Sequence, residues 1–176
     1  VQEPNAFLER HILKSTYALF DFLEENNLIN KVGFKDLGAG GVACASIELA
    51  DAAGLGAEVW VDKIHTSMPE LDGHIILCSE TQERFMWASP KDLTQTILDH
   101  YNKVFDFPNV SVGAKASVVG KIINEKHYSV FYKDQKIVDG PIEKINEGFV
   151  YNRPMSENKT QLENDPLPEK IDYNNL

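Results

Sequence analysis

The sequence predicts an α+β fold, or an α/β sandwich, in which helices pack on a mixed β-sheet. Three observations predict it. Helical and strand-like periodicities alternate up to about residue 105, strand-like segments follow over residues 110–138, and 43% of the 176 residues are hydrophobic, enough for one sizeable core. We expect a single domain over residues 1–151 and a polar tail or linker over residues 152–176, where prolines are frequent and apolar residues are few.

The first half of the chain alternates between the two periodicities. Apolar residues recur at helical spacing from residue 6 to about residue 27, and an apolar strand follows at residues 32–34. Glycines then lead into a second helix, whose packing stripe consists of Val42, Ala45, Ser46, Leu49, Ala52 and Ala53. Strict alternation over residues 57–62 predicts a strand with one buried face. Residues 74–78 fit either a buried strand or a short helix, and we favour the helix.

The second half predicts one more long helix and several adjacent strands. A polar break at residues 79–82 precedes a strand at residues 84–88. Ser89 and Pro90 are typical of the cap and the first residue of a helix. The buried face of that helix consists of Leu93, Ile97, Tyr101 and Val104. Three strands are predicted over residues 110–123, 127–132 and 136–138, an order that fits a hairpin or a meander.

Charge and composition exclude several classes of protein. A net charge of −10 and a pI near 4.9 argue against nucleic acid or an anionic membrane as a partner. The sequence contains neither a secretory signal nor an apolar run of about 18 residues that could span a membrane. Cys44 and Cys78 lack the spacing of a zinc site, so we expect buried, reduced thiols and a cytoplasmic location. Because Val1 stands where an initiator methionine would, we expect a piece of a longer polypeptide.

Residues 35–50 carry the strongest local signal for a binding site. Gly38, Gly40 and Gly41 separate a strand from a helix, and such a turn lets an anion approach the unpaired backbone N–H groups of the first helical turn. Asp36 stands at the mouth of this turn. Its carboxylate is compatible with a bound phosphate if a divalent cation lies between them. In the alternative interpretation Asp36 caps the helix and the glycines only permit close packing.

The polar break is the second candidate. Glu80, Thr81 and Gln82 offer a carboxylate, a hydroxyl and an amide to a polar ligand, and the alternative is a solvated turn. No Ser, Cys or His lies in a pattern typical of a nucleophile, no Walker pattern occurs, and the five histidines lack metal-ligand spacing. We therefore assign no catalytic residue to this chain. We expect a site shared with another domain, since an acidic domain has few cations to spare for a phosphate.

Four segments of the sequence together resemble a known family. They are residues 36–41, 54–56, 62–64 and 77–86. In this order and spacing they resemble phosphoribosylformylglycinamidine synthase, specifically the synthetase (large) subunit of the small bacterial and archaeal type, and the resemblance covers roughly residues 1–154. It implies the C-terminal domain of the first of two related halves. It also implies the three-layer α/β/α fold of the aminoimidazole ribonucleotide synthetase C-terminal domain, with a mixed sheet and a partial likeness to the ferredoxin fold.

The resemblance further implies an ATP-dependent C–N ligase of de novo purine biosynthesis. The family converts formylglycinamide ribonucleotide, ATP and ammonia from glutamine into formylglycinamidine ribonucleotide. Its pattern, carried onto this sequence, implies that Gln2 contacts the ribonucleotide, that Asp36 binds Mg²⁺, and that Glu80, Thr81 and Gln82 bind the substrate. Thr81 replaces the serine usual in the family but keeps the hydroxyl. Residues 3–6 replace a glycine-containing approach to the first helix, a departure next to Gln2.

The same resemblance implies partners and leaves two alternatives. The partners are the preceding and following domains of the same synthetase, a separate glutaminase subunit and a small bridging subunit. The family's catalytic histidine and most ATP-binding groups lie in the preceding half, so the isolated chain is expected to be inactive. One alternative is a non-catalytic assembly module that docks on a neighbouring domain. The other is a superfamily member acting on a different small molecule, against which the motif at residues 79–84 argues.

Overall fold

In the computed structural model, which describes residues 4–148 and 150–156, helices and strands alternate through the first half of the chain. The helices are α1 (Ala6–Glu25), α2 (Gly41–Ala52), α3 (Gly73–Cys78), α4 (Lys91–Asp99), α5 (Phe107–Val110) and α6 (Ile142–Glu147). The strands are β1 (Gly33–Asp36), β2 (Gly56–Trp60), β3 (Phe85–Ala88), β4 (Gly120–Ile123), β5 (His127–Tyr132) and β6 (Gln135–Pro141). A π-helical turn, His100–Val104, continues α4.

Local signals fix where two of the helices begin. The side chain of Asn5 accepts a hydrogen bond from the Leu8 N–H at 3.0 Å and caps α1. Asp72 accepts from the His74 N–H at 2.8 Å and caps α3, which confirms the short helix rather than a buried strand. Both caps satisfy N–H groups that have no partner within their own helix.

The strands form two separate sheets. β1 and β3 pair antiparallel as a two-stranded ribbon, with Gly33 opposite Ala88 and Asp36 opposite Phe85. The other four strands form a sheet in the order β4-β2-β5-β6, in which β2 pairs antiparallel with β4 and parallel with β5. β5 and β6 pair antiparallel as a hairpin. The predicted α+β class with a mixed sheet is confirmed.

A first hydrophobic core, the sheet core, lies between the four-stranded sheet and the helices α2, α3 and α6. The predicted alternation of β2 is confirmed, because Ala57 and Val59 face this core, each 3% exposed. Other members are Leu37, Val42, Ala45, Ile47, Ala50, Val61, Ile76, Leu77, Tyr128, Val130 and Ile142. The core is mostly aliphatic, which suits the close packing of helices on a sheet.

A second core, the helical core, lies among α1, α4, the π-turn and one face of the ribbon. Its buried members are Ile12, Leu19, Leu23, Leu93, Ile97, Tyr101 and Phe107. Phe85 and Trp87 pack against it from β3, and Phe34 from β1 lies 4.7 Å from Trp87 between ring centroids. On the opposite face of the ribbon, Met86 packs against the sheet core. The ribbon therefore contacts both cores.

The helix that follows Ser89 differs from the prediction at both ends. Pro90, not Ser89, is its cap residue, and the Pro90 carbonyl accepts from Leu93 N–H at 3.0 Å. Val104, predicted to be buried, is 72% exposed. The reason is the π-turn, in which the Phe105 N–H donates to the His100 carbonyl and the wider turn rotates Val104 away from the buried stripe.

Several other expectations are corrected. Residues 111–119 form no strand, and β4 pairs with β2 rather than with β5, so the strands form no meander. Ala52 and Ala53 are exposed because α2 ends there. Both cysteines are free thiols, but neither is buried as expected, since Cys44 is partly exposed and Cys78 is exposed. Residues 150–156 have no helix or strand, and the rest of the predicted tail lies outside the described residues. No helix in the described part of the chain is long and apolar enough to cross a membrane.

Candidate functional site

The glycine turn between β1 and α2 brings the chain close to the polar break. Gly40 and Gly41 have positive φ angles of 77° and 57°, which favour glycine. A Cβ atom on Gly41 would lie 2.3 Å from the carbonyl oxygen of Ser79. The glycines are therefore needed for the approach of residues 79–84, whether or not a ligand is bound.

Glu80 lies directly at the N-terminus of α2. Its carboxylate accepts a hydrogen bond from the Gly40 N–H at 3.0 Å. The glycine pattern predicts that such N–H groups bind an anion, and at Gly40 the carboxylate of Glu80 occupies that position. A negative group is favoured there because the N-terminal end of a helix carries a partial positive charge.

Asp36 occupies the exposed end of β1, between two clefts. One cleft, with a volume of about 390 Å³, is also lined by Glu9, Gln82 and Arg84. The other, of about 260 Å³, lies on the α2 side and is also lined by Lys35. Asp36 does not cap α2, because the cap residue is Gly40 and no side chain bonds to the first helical turn as a cap. The alternative interpretation of Asp36 as a helix cap is therefore wrong.

Arg84 fixes the shape of the loop at residues 79–84. Its Nη2 donates to the Ser79 carbonyl at 2.6 Å, and its Nε donates to the Thr81 carbonyl at 2.8 Å. Burial of the guanidinium lowers the pKa of Arg84. The side chains of Thr81 and Gln82 are exposed. The loop is thus held by its own arginine and presents polar groups to solvent.

The start of α1 joins the same site. The backbone N–H of Asn5 donates to the carboxylate of Glu83 at 2.9 Å, over a separation of 78 residues. The structure thus brings together the end of β1, the glycine turn, the loop and the start of α1. Asp36, Glu80 and Gln82, which the sequence analysis singled out, all lie in this region. Gln2 lies outside the described residues.

The cleft on the α2 side contains an ion pair that the sequence analysis missed. Lys35 on β1 pairs with Glu48 on α2, and the Cys44 thiol donates to Glu48 at 3.2 Å. The hydrogen bond from Lys35 lowers the pKa of Glu48, and the hydrogen bond to Glu48 raises the pKa of Cys44. A raised pKa keeps the thiol protonated. The i, i+4 spacing of Cys44 and Glu48 was the available signal.

The number of metal-binding side chains near Asp36 limits how completely this chain alone could coordinate a metal ion. No group of three or more His, Cys, Asp or Glu side chains able to hold a metal ion occurs in the described ranges, 4–148 and 150–156. A carboxylate at an exposed strand end is nevertheless the hard oxygen donor that Mg²⁺ prefers, and Mg²⁺ commonly takes only one or two protein carboxylates with water and phosphate oxygens. The site therefore fits one Mg²⁺ contact rather than a complete cage.

Fold and site define a class of protein. Residues 1–133 match the family described as AIR synthase related protein, C-terminal domain, and the chain belongs to that family. Subunit PurL of phosphoribosylformylglycinamidine synthase from Methanothrix thermoacetophila is 38% identical over 153 residues, which are 87% of this chain and 20% of that protein. The corresponding subunit from Thermococcus kodakarensis is 33% identical over 148 residues, 84% of this chain and 19% of that protein. The resemblance to this synthase is confirmed, and the chain spans about a fifth of these relatives' length.

Solved structures agree with this assignment. Thermotoga maritima PurL complexed with FGAR is 28% identical, with a TM-score of 0.66, and the match covers 92% of this chain and 25% of that one. The T. maritima PurLQS structure matches with 27% identity and a TM-score of 0.66 over 92% of this chain and 26% of that one. A chain of the HypE–HypF complex, 14% identical with a TM-score of 0.50 over 65% of this chain and 38% of that one, shares the fold alone.

Proposed function

We propose that this chain is the substrate-binding domain of a phosphoribosylformylglycinamidine synthase, an ATP-dependent ligase of purine biosynthesis. The enzyme would join formylglycinamide ribonucleotide to ammonia derived from glutamine and release formylglycinamidine ribonucleotide. The observation that carries the proposal is that Glu80 bonds to the glycine turn at Gly40, while Asp36, at the strand end before that turn, lines one cleft together with Gln82. It occurs in a chain that is 38% identical to a PurL subunit. T. maritima PurL, a similar protein, has been solved in complex with FGAR, which supports the same substrate.

Each residue has a distinct role in this proposal. Asp36 contributes a carboxylate to Mg²⁺, and the ion when bound would neutralise charge on phosphate oxygens. Glu80, Thr81 and Gln82 bind the ribonucleotide, with Thr81 offering its exposed hydroxyl and Gln82 its amide. Gln2 is proposed as a further ribonucleotide contact from its place in the sequence. These groups position the substrate, and positioning supplies a large part of the rate gain in such reactions.

ATP and the protein partners belong to the complete enzyme. T. maritima PurL has been solved with ATP and with AMPPCP, which supports ATP as the co-substrate, bound mainly by groups outside this chain. ATP would phosphorylate the amide oxygen of the substrate, and ammonia would then displace that phosphate. The PurLQS structure supports a separate glutaminase subunit and a small bridging subunit as partners. We place this reaction in the cytoplasm.

Calorimetry tests the substrate and metal roles on this chain. Formylglycinamide ribonucleotide is titrated into the chain with Mg²⁺, and then into Asp36→Ala and Glu80→Ala. We expect saturable heat with the unchanged chain and at least about tenfold weaker binding with either variant, since each removes a charged contact. Asp21→Ala and Glu24→Ala, which change exposed carboxylates on α1, are the matched controls.

The outcomes separate the proposal from the assembly alternative. Binding that is unchanged in both site variants would contradict the roles assigned to Asp36 and Glu80. No heat with the folded, unchanged chain would contradict substrate binding by this domain and favour an assembly module. Circular dichroism of every sample establishes that loss of heat is not loss of fold.

A further inference from the structure

The loop at residues 79–84 is held from three directions in the described structure. Glu80 bonds to the Gly40 N–H of the glycine turn, and Glu83 bonds to the Asn5 N–H at the start of α1. Arg84 bonds from within to two carbonyls of the loop, those of Ser79 and Thr81. The proposed function gives a role to Glu80, but it gives none to Glu83 or Arg84.

We propose that Glu83 and Arg84 are positioning residues, which hold Glu80, Thr81 and Gln82 in register with the glycine turn and with the start of α1. This inference rests on the proposed function for the identity of the ligand. Its geometric content is that the loop, the glycine turn and the start of α1 are coupled to one another. This coupling does not depend on which ligand is bound.

Arg84 is suited to this role because its guanidinium donates hydrogen bonds to the backbone of the loop itself. Two of its N–H donors are used on the carbonyls of the loop at 2.6 and 2.8 Å, and the side chain is half-buried. Among the described residues Arg84 forms no ion pair. A guanidinium carries a fixed fork of donors that a lysine cannot reproduce. Arg84 therefore determines the curvature of the loop, while its backbone carbonyl accepts from the Leu37 N–H at 3.2 Å and continues the ribbon.

Glu83 is suited to its role by its backbone as well as its side chain. Its φ angle is 56°, a left-handed conformation that is rare for a residue other than glycine and that persists only where the surroundings impose it. In this conformation its carboxylate reaches the Asn5 N–H, three residues after Gln2. Asn5 in turn caps α1 through its side chain. Glu83 therefore links the loop to the point at which the N-terminal segment enters the helix.

Amide hydrogen exchange in the chain without ligand tests the geometric content. We expect the Asn5 amide to exchange at least about tenfold faster in Glu83→Ala than in the unchanged chain, and the Gly40 amide at least about tenfold faster in Arg84→Gln. The amides of β5, in the sheet core, should exchange as before. Glu83→Gln keeps an oxygen acceptor and should restore most of the Asn5 protection, whereas Arg84→Lys should not restore Gly40. Unchanged exchange at Asn5 and Gly40 would overturn the inference.

Ligand titration tests the consequence for binding. We expect Glu83→Ala and Arg84→Gln each to weaken binding of formylglycinamide ribonucleotide about tenfold, since small misplacements of binding groups have large effects. Matched controls are Glu24→Ala and Arg10→Gln, which change exposed residues of α1 and should bind as the unchanged chain does. Unaltered affinity despite faster exchange would overturn the role in binding. If the unchanged chain binds no ribonucleotide, the proposed function fails, and hydrogen exchange still decides whether the three segments are coupled.

Discussion

The sheet core and the helical core consist of different kinds of side chain, and the candidate site lies where the two cores meet. The sheet core is mostly aliphatic and lies between the four-stranded sheet and the helices α2, α3 and α6. The helical core is rich in ring contacts, such as Phe20 with Phe34 at 5.1 Å and Phe34 with Trp87 at 4.7 Å. The ribbon of β1 and β3 contacts both.

This difference shows why the site needs both cores. Glu80 follows α3, which belongs to the sheet core, whereas Asn5 caps α1, which belongs to the helical core. Asp36 and Arg84 lie at the end of the ribbon between them. A contact such as Asn5 with Glu83 therefore reports that the two cores are correctly joined. Variants in each core test whether the two cores unfold as one unit and how much each contributes to the free energy of unfolding.

The largest effects are expected from truncations inside each core. Leu19→Ala in the helical core and Ile142→Ala in the sheet core should each lower the free energy of unfolding by about 2–5 kcal/mol, because both side chains are fully buried and each truncation leaves a cavity. Urea denaturation measures the loss. Tyr17→Ala and Ile145→Ala, on the exposed faces of the same helices, should cost much less.

The same variants show whether the cores unfold together. Trp87 reports on the helical core and Trp60 on the four-stranded sheet, so Trp60→Phe and Trp87→Phe leave one reporter each. Because the ribbon packs against both cores, we expect the same urea midpoint of unfolding from both tryptophans in every variant. Two separate midpoints would contradict the view that the ribbon couples the cores.

The next effect concerns the glycine turn at the junction. Gly41→Ala should lower the free energy of unfolding by about 3 kcal/mol, because an alanine at positive φ is strained and its Cβ overlaps the Ser79 carbonyl. Ribonucleotide binding should be lost with it. Gly54→Ala, also at positive φ but in open space, should cost only about 1 kcal/mol. Urea denaturation and calorimetry measure both, and equal losses would contradict the contact with Ser79.

A smaller effect distinguishes the polar groups inside the two cores. Burial raises the pKa of both Tyr101 and Tyr128, the latter to about 12, so both hydroxyls are neutral at physiological pH. Tyr101 accepts from Trp87 Nε1 at 3.0 Å, whereas the Ser46 partner of Tyr128 also donates to the Val42 carbonyl at 2.7 Å.

Tyr101→Phe should therefore lower the free energy of unfolding by about 2 kcal/mol, because it leaves the Trp87 N–H without its acceptor. Tyr128→Phe should cost about 1 kcal/mol, because Ser46 keeps another partner. Urea denaturation of both variants at one pH makes the comparison. A larger loss in Tyr128→Phe would show that the sheet core depends more on its buried hydroxyl than the helical core does.

The smallest effect concerns Asp139, an exposed carboxylate on β6. Hydrogen bonds from His127, Lys136 and Ser129 lower the pKa of Asp139 to about 2. Because the unfolded value is about 4, its contribution to stability is complete above that pH and is lost as the pH falls through 2. Asp139→Asn should thus be slightly less stable than the unchanged chain near pH 6. The difference should disappear near pH 2 in pH-dependent denaturation, and a difference that persists there would contradict this origin.

Much of the local structure could be predicted from the sequence because its signals are local. The spacing of apolar residues determines α1, the alternation of Ala57 and Val59 determines β2, and Asn5 and Asp72 mark the starts of α1 and α3. The motif at residues 79–84 indicated the family. Each of these patterns lies within a few residues, where helix and strand periods act. The binding roles of Gln2, Asp36, Glu80, Thr81 and Gln82 stay predictions.

Only the tertiary structure decided how distant segments pair. The sequence could not show that β1 pairs with β3 in a separate ribbon, or that β2 lies between β4 and β5. Nor could it show that Glu80 reaches the Gly40 N–H across 40 residues, or that Glu83 reaches Asn5 across 78. The physical reason is that a strand edge can pair with many other strands, and an N–H group can donate to many carbonyl or carboxylate oxygens. Which partner it obtains depends on how the two cores bury their apolar surfaces together.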